Sequence, residues 1–162
     1  MKKGKHSTPK DSDAVACEFN EGAGVNRRFD LEDRLREFAS AVIDLSEVLP
    51  VTRAGNHVAG QILRSGTSPY PNHGEAEAAE SRNDFIHKLK ICLKELRETR
   101  RWARLIQRKA WVKNDSMLLF VLSESEELIR IFHSSIQTAK RNAQAKTRKP
   151  SNPVRYPSGE AG

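Results

Sequence analysis

The chain has 162 residues, with 28 Lys/Arg against 21 Asp/Glu, a formal charge of +7 and a mean hydropathy of −0.66. It is long enough for one domain with its own core, and the absence of a run of about 18 apolar residues excludes a membrane-spanning helix. Two cysteines make no disulfide framework, and no apolar stretch of the secretory kind follows the basic start MKKGKHSTPKDSDAV, so a cytoplasmic protein without a membrane role is expected.

The charge is unevenly spread. Residues 1–28 hold six Lys/Arg and four Asp/Glu, residues 29–139 hold sixteen of each, and residues 140–162 hold six and one. The ends therefore carry the whole excess. Residues 1–28 are polar and Gly-containing with no period, and residues 143–162 hold three prolines and few apolar groups; both read as disordered tails. The folded body is assigned to residues 29–142.

The first predicted helix lies in FDLEDRLREFASAVIDLSEVLP. Leu31, Leu35, Phe38, Val42, Leu45 and Leu49 recur every three or four residues, which is one apolar stripe. Asp30 is placed to cap it, and Pro50 ends it near Leu49. The second helix, TRAGNHVAGQILRSG, has Thr52 as its cap and Gly55, Val58, Ile62 and Ser65 on one face. It is expected to stop or break near Gly66. The third is long, from about residue 76 to 110, with Phe85, Leu89, Cys92, Leu96, Thr99, Ala103, Ile106 and Ala110 as its stripe and Ile86, Leu93 and Leu105 widening it. The fourth has Asn114 or Asp115 as its cap and Leu118, Leu122, Ser125, Leu128 or Ile129, Phe132 and Ile136 as its stripe. No β pattern is present. The predicted fold is all-α, an antiparallel four-helix bundle.

Between the second and third helices, GTSPYPNHG (66–74) crowds turn-forming residues together. It predicts a turn or kink, with Arg64 and Glu75 pairing across it. Asn72 would cap the next helix, with Glu75 three residues on in a capping box. Small residues 65–68 would allow close helix or subunit contact. The alternative is a polar ligand niche of Arg64, Asn72 and Glu75.

The strongest candidate for function lies on the third helix. Lys90, Lys94, Arg97, Arg101, Arg104 and Arg108 are spaced 4, 3, 4, 3, 4. They make a continuous basic stripe beside the apolar one, and such a stripe suits a phosphate backbone, RNA or DNA. The competing reading pairs it with acids such as Glu124, Glu126 and Glu127, or with a neighbouring subunit. Two tryptophans, Trp102 and Trp111, sit at the end of this helix, and Trp102, beside Arg101 and Arg104, could stack on a base or anchor a packing contact. Asp84 and His87 give one D-x-x-H spacing, half of what a di-iron bundle needs. His73-Gly-Glu75 lacks the P-C-x-x-C partner of a zinc deaminase. No nucleophile motif or phosphate loop occurs. Neither enzymatic activity, nor a metal, nor any other cofactor is expected.

Gln61-Ile62-Leu63-Arg64-Ser65, Thr67-Ser68, Asn72 and Glu75-Ala76, then Asp84-Phe85-Ile86 and Leu93-Lys94-Glu95, together with the first helix, resemble the bacterial four-helix-bundle family that includes proteins encoded by intervening sequences in 23S rRNA genes, also labelled S23 ribosomal proteins. The resemblance covers about residues 29–110. It implies a four-helix bundle, a ring-like homopentamer and no enzymatic activity. Gln61, Arg64, Ser65, Asn72, Glu75 and Asp84 would then be structural motif residues. A related branch, the accessory variability protein of diversity-generating retroelements, implies a nucleic acid or a protein partner such as a reverse transcriptase. Pro69 and the run Asn72-His73-Gly74-Glu75 depart from the family pattern, which puts a smooth helix there in doubt.

Overall fold

The computed structural model describes residues 31–113 and 116–147. Among these, every regular element is a helix: α1 (Leu31–Glu47), α2 (Arg53–Thr67), α3 (Pro69–Glu77), α4 (Arg82–Lys109) and α5 (Ser116–Thr147). α2 and α3 run on as one interrupted arm, so the architecture is the expected antiparallel four-helix bundle. α1 packs on α2, the α2–α3 arm on α4, α4 on α5, and α5 on α1. α1 and α4 thus stand diagonally across the core.

Each helix buries most of the stripe its sequence spells out; Ala110, given to the third stripe, is instead the exposed, left-handed cap that ends α4. Leu35, Phe38, Val42 and Leu45 of α1 meet Val58 and Ile62 of α2, Leu89, Cys92, Leu96 and Ile106 of α4, and Leu118, Leu128, Phe132 and Ile136 of α5 in one core. Thr52 caps α2 as predicted, its hydroxyl accepting from the Gly55 amide at 3.0 Å. Leu105 differs from expectation. It was assigned to the apolar face of α4 but stands 40% exposed. Val121, outside the predicted stripe of the last helix, is fully buried. The assigned caps Asp30, Asn114 and Asp115 lie outside the described residues, as do the expected N-terminal tail and residues 148–162 of the expected C-terminal one. Residues 143–147, given to the C-terminal tail, are the last residues of α5.

The connection between the second and third predicted helices is the main correction. The chain does not turn at 66–74. Ser68 interrupts the helix yet keeps helical angles, φ −59° and ψ −38°, and α3 restarts at once with Pro69 at its first position. A proline there loses nothing, because the first amides of a helix have no intrahelical partner; Pro71 falls within the same turn. Asn72 therefore caps no following helix. It lies inside α3, and its side-chain amide donates to the Ser68 carbonyl at 2.9 Å and to the Ser68 hydroxyl at 3.1 Å. The real turn is at residues 78–81, and α4 begins at Arg82, later than predicted, with Ser81 as its cap, accepting from the Asp84 amide at 3.1 Å. Pro69 is buried, and its carbonyl receives the Cys92 thiol at 3.6 Å.

The small residues near the break do allow close approach. A Cβ added at Gly66 would come within 2.5 Å of the Val42 side chain of α1, whereas one at Gly60 would meet nothing. Gly66→Ala should therefore lower stability by about 1–3 kcal/mol through overpacking. Gly60→Ala should raise it by up to about 1 kcal/mol through helix propensity. Urea unfolding of both variants checks the pair.

Burial pushes the Cys92 thiol up to about 12, from an ordinary value of 9.0. An unfolded chain would release this proton near its ordinary value while the folded chain keeps it. Folding stability is then lost as pH rises between those two values. Cys92→Ala should be less stable at neutral pH but lose less over that alkaline range, as read by denaturant midpoints.

Candidate nucleic-acid interface

From Lys88 to Lys113, along α4 and just past its end, the chain carries ten Lys/Arg and two acids, Glu95 and Glu98. Both acids turn toward α2. Glu95 is only 6% exposed and receives Arg64 at 3.3 Å; Glu98 also pairs with Arg64. Beneath them the Ser65 and Thr99 hydroxyls lie 3.0 Å apart, with the Thr99 hydroxyl 2.9 Å from the Glu95 carbonyl. Arg64 therefore does not pair with Glu75 as expected. Glu75 points from α3 to Lys88 instead, and that bond raises the lysine's affinity for its proton. The alternative niche of Arg64, Asn72 and Glu75 does not assemble, because the three make separate contacts on two helices. Gln61 lies one turn before Arg64 and within 3.5 Å of it, while Asp84 sits in the first turn of α4.

With its acids drawn aside, the outer face of α4 is left strongly basic. Lys90, Lys94, Arg97, Arg101, Arg104 and Arg108 are all exposed. Lys94 reaches Glu95 at 3.6 Å, and Arg104 shares Glu126 with Arg100. Lys90, Arg97, Arg101 and Arg108 have no acidic partner among the described residues. Of the α5 acids named as competitors, Glu126 does reach the stripe, at Arg104, whereas Glu124 pairs with Arg34 at 2.6 Å and Glu127 with Arg130. From Lys90 to Arg108 the stripe runs about 27 Å at the helical rise.

The basic stripe borders an apolar strip. A shallow groove of about 800 Å³ runs along α4 past Leu93, Lys94, Arg97, Arg101, Trp102 and Leu105. Trp102 and Leu105 also wall a second hollow of about 660 Å³ between α4 and the start of α2. There the His57 ring meets Trp102 edge-on, with centroids 6.1 Å apart. Sequence reading noticed both tryptophans but not His57, because nothing in the chain order puts residue 57 beside residue 102.

No group of three potential metal-ligating side chains comes together among the described residues. Asp84 and His87 stay a lone pair of positions on α4, with His87 exposed. No described helix is long and apolar enough to cross a membrane.

Arg64 holds the only guanidinium on the buried Glu95 carboxylate among the described residues. Arg64→Ala should therefore cost about 1–3 kcal/mol, because it leaves a buried acceptor poorly matched. Glu95→Gln, which keeps an acceptor, should cost less. Thermal unfolding of the two variants side by side measures the difference.

The sequence model of the 23S rRNA-intervening sequence protein family matches residues 27–134. A crystal structure of a protein of unknown function from the S23 ribosomal protein family of Bacteroides thetaiotaomicron is 37% identical, with a TM-score of 0.60, over 65% of this chain and 97% of that one. No curated protein matches. The match spans α1 to most of α5 and takes in the Arg64–Glu95 contact as well as the basic face. The chain belongs to the 23S rRNA-intervening sequence protein family.

Proposed function

We propose that this chain is a non-catalytic, self-assembling bundle that binds RNA or DNA through the phosphate backbone along α4. The observation that carries the reading is the segregation of charge on that helix. The two acids within the stripe's span, Glu95 and Glu98, are held by Arg64, while four of six stripe cations face solvent without an acidic partner among the described residues. Unpaired cations in a row about 27 Å long suit a polyanion of regular charge spacing. Such binding would be electrostatic and indifferent to sequence. Self-assembly as a homopentamer is what the family resemblance suggests, and exposed Ile43 on α1 and Val48 just past its end would give a subunit contact apolar surface.

A second reading rests on α1. Its outward residues Asp33, Glu37, Asp44 and Glu47 are exposed and acidic, and α1 stands diagonal to α4. The acidic face of one copy could meet the basic face of the next, leaving a scaffold for a protein partner such as a reverse transcriptase and no direct role for nucleic acid.

One set of variants separates the two. Reversing Arg97, Arg101 and Arg108 to Glu should abolish binding of a short duplex RNA while the mass by light scattering stays that of the parent. For the parent, affinity should fall on the order of 100-fold between 50 and 200 mM salt if about four cations release counterions. Unchanged RNA binding would sink the first reading. A fall in mass, restored by adding Asp44→Lys and Glu47→Lys, would establish the second.

A further inference from the structure

We infer that the hollow between α2 and α4 is a stacking site for an unpaired nucleobase, so that the preferred ligand is a single-stranded nucleic acid. The inference rests on the phosphate-binding reading of α4 and adds the part of the ligand that the stripe does not touch. The hollow is lined by Arg53, Ala54, His57, Val58, Trp102, Leu105, Lys109 and Trp111. Its volume of about 660 Å³ lies within the usual range of small-ligand pockets.

Three features point to a flat, aromatic and anionic occupant. First, the aromatic rings stay half-open. Trp102 and Trp111 are only partly buried, and His57 is exposed, so they leave a hollow instead of filling it. Both indoles pack against the core on their inner side, and the Trp102 N–H donates to Glu98 at 3.4 Å, which fixes the ring beside the hollow. Second, the mouth is cationic. Arg53 and Lys109 stand at it, both exposed and without acidic partners among the described residues. Third, the hollow adjoins the stripe, because Trp102 and Leu105 wall both it and the groove that carries Lys90, Lys94, Arg97 and Arg101.

A strand whose phosphates follow the stripe would pass beside Trp102. An unstacked base could then turn into the hollow and lie against the indole. In a duplex the same base is held in its own stack and cannot reach. Base–aromatic stacking is tolerant of sequence, which agrees with the lack of buried unpartnered polar side-chain atoms there to read a base edge. His57 and Trp111 would frame the base, and Arg53 and Lys109 would hold flanking phosphates.

The chain has two tryptophans, and both line this hollow. Intrinsic fluorescence of the full-length protein therefore reads the site directly. The test titrates the protein with a 12-nucleotide oligothymidylate, with an abasic deoxyribose-phosphate oligomer of the same length, and with a duplex of the same length. The expected result is quenching by oligothymidylate alone, with affinity about 10-fold or more above the abasic oligomer. Trp102→Ala should remove that advantage and leave abasic binding and its salt dependence intact. Trp102→Phe should retain most of it, which sets stacking apart from loss of fold. Equal affinity for the two single strands, or no quenching, overturns the stacking site while the phosphate reading stands. Failure of all three ligands to bind overturns both. Emission that shifts on dilution of the protein alone assigns the hollow to a subunit contact and also overturns the proposal.

Discussion

The bundle turns on the contact between α2 and α4. Ser65 and Thr99 place two hydroxyls 3.0 Å apart between the helices, and Arg64 closes over them onto Glu95 and Glu98. A buried carboxylate is unfavourable unless hydrogen-bonded and paired. Arg64 answers that need from a neighbouring helix, so the two helices are held in one register. Gly66, one residue beyond Ser65, lets α1 come close on the other side of α2. Three consecutive residues thus face three different demands: Arg64 outward to the acids, Ser65 inward to α4, and Gly66 against α1.

This structural contact also shapes the outer surface. Had Glu95 and Glu98 faced solvent, they would have screened their basic neighbours on the same helix. Held by Arg64, they leave Lys90, Arg97, Arg101 and Arg108 without an acidic partner among the described residues. Stability and the proposed binding are therefore linked at Arg64, although that residue lies outside the stripe. The aromatic hollow follows from the same packing, since the antiparallel crossing of α2 on α4 sets His57 opposite Trp102.

Much of the fold was legible in the chain. Apolar residues at three- and four-residue spacing named the buried faces, and the buried positions of α1 and α2 match them. The break at Ser68 was harder to read. Two prolines and two glycines suggested a turn by local preference, yet Pro69 and Pro71 fall where a restarting helix has no amides to satisfy. The surrounding core, with Pro69 and Ala76 buried, rewards continuing the helix. Packing outweighed propensity there. Leu105 misled in the opposite way: its spacing suited the apolar face, but it lies at the edge of that face and borders the hollow.

By itself the sequence determined the helix count, the buried stripes, the family motif and the row of cations, because each is a matter of spacing along one helix. It could not determine partners between helices. Arg64 was matched with Glu75, eleven residues away, when its true partners are 31 and 34 residues on. Whether a charge on a helix surface is free or paired depends on which helix packs beside it and in what register. That is a property of the assembled bundle, set when the apolar faces close and the remaining polar groups must find partners within reach.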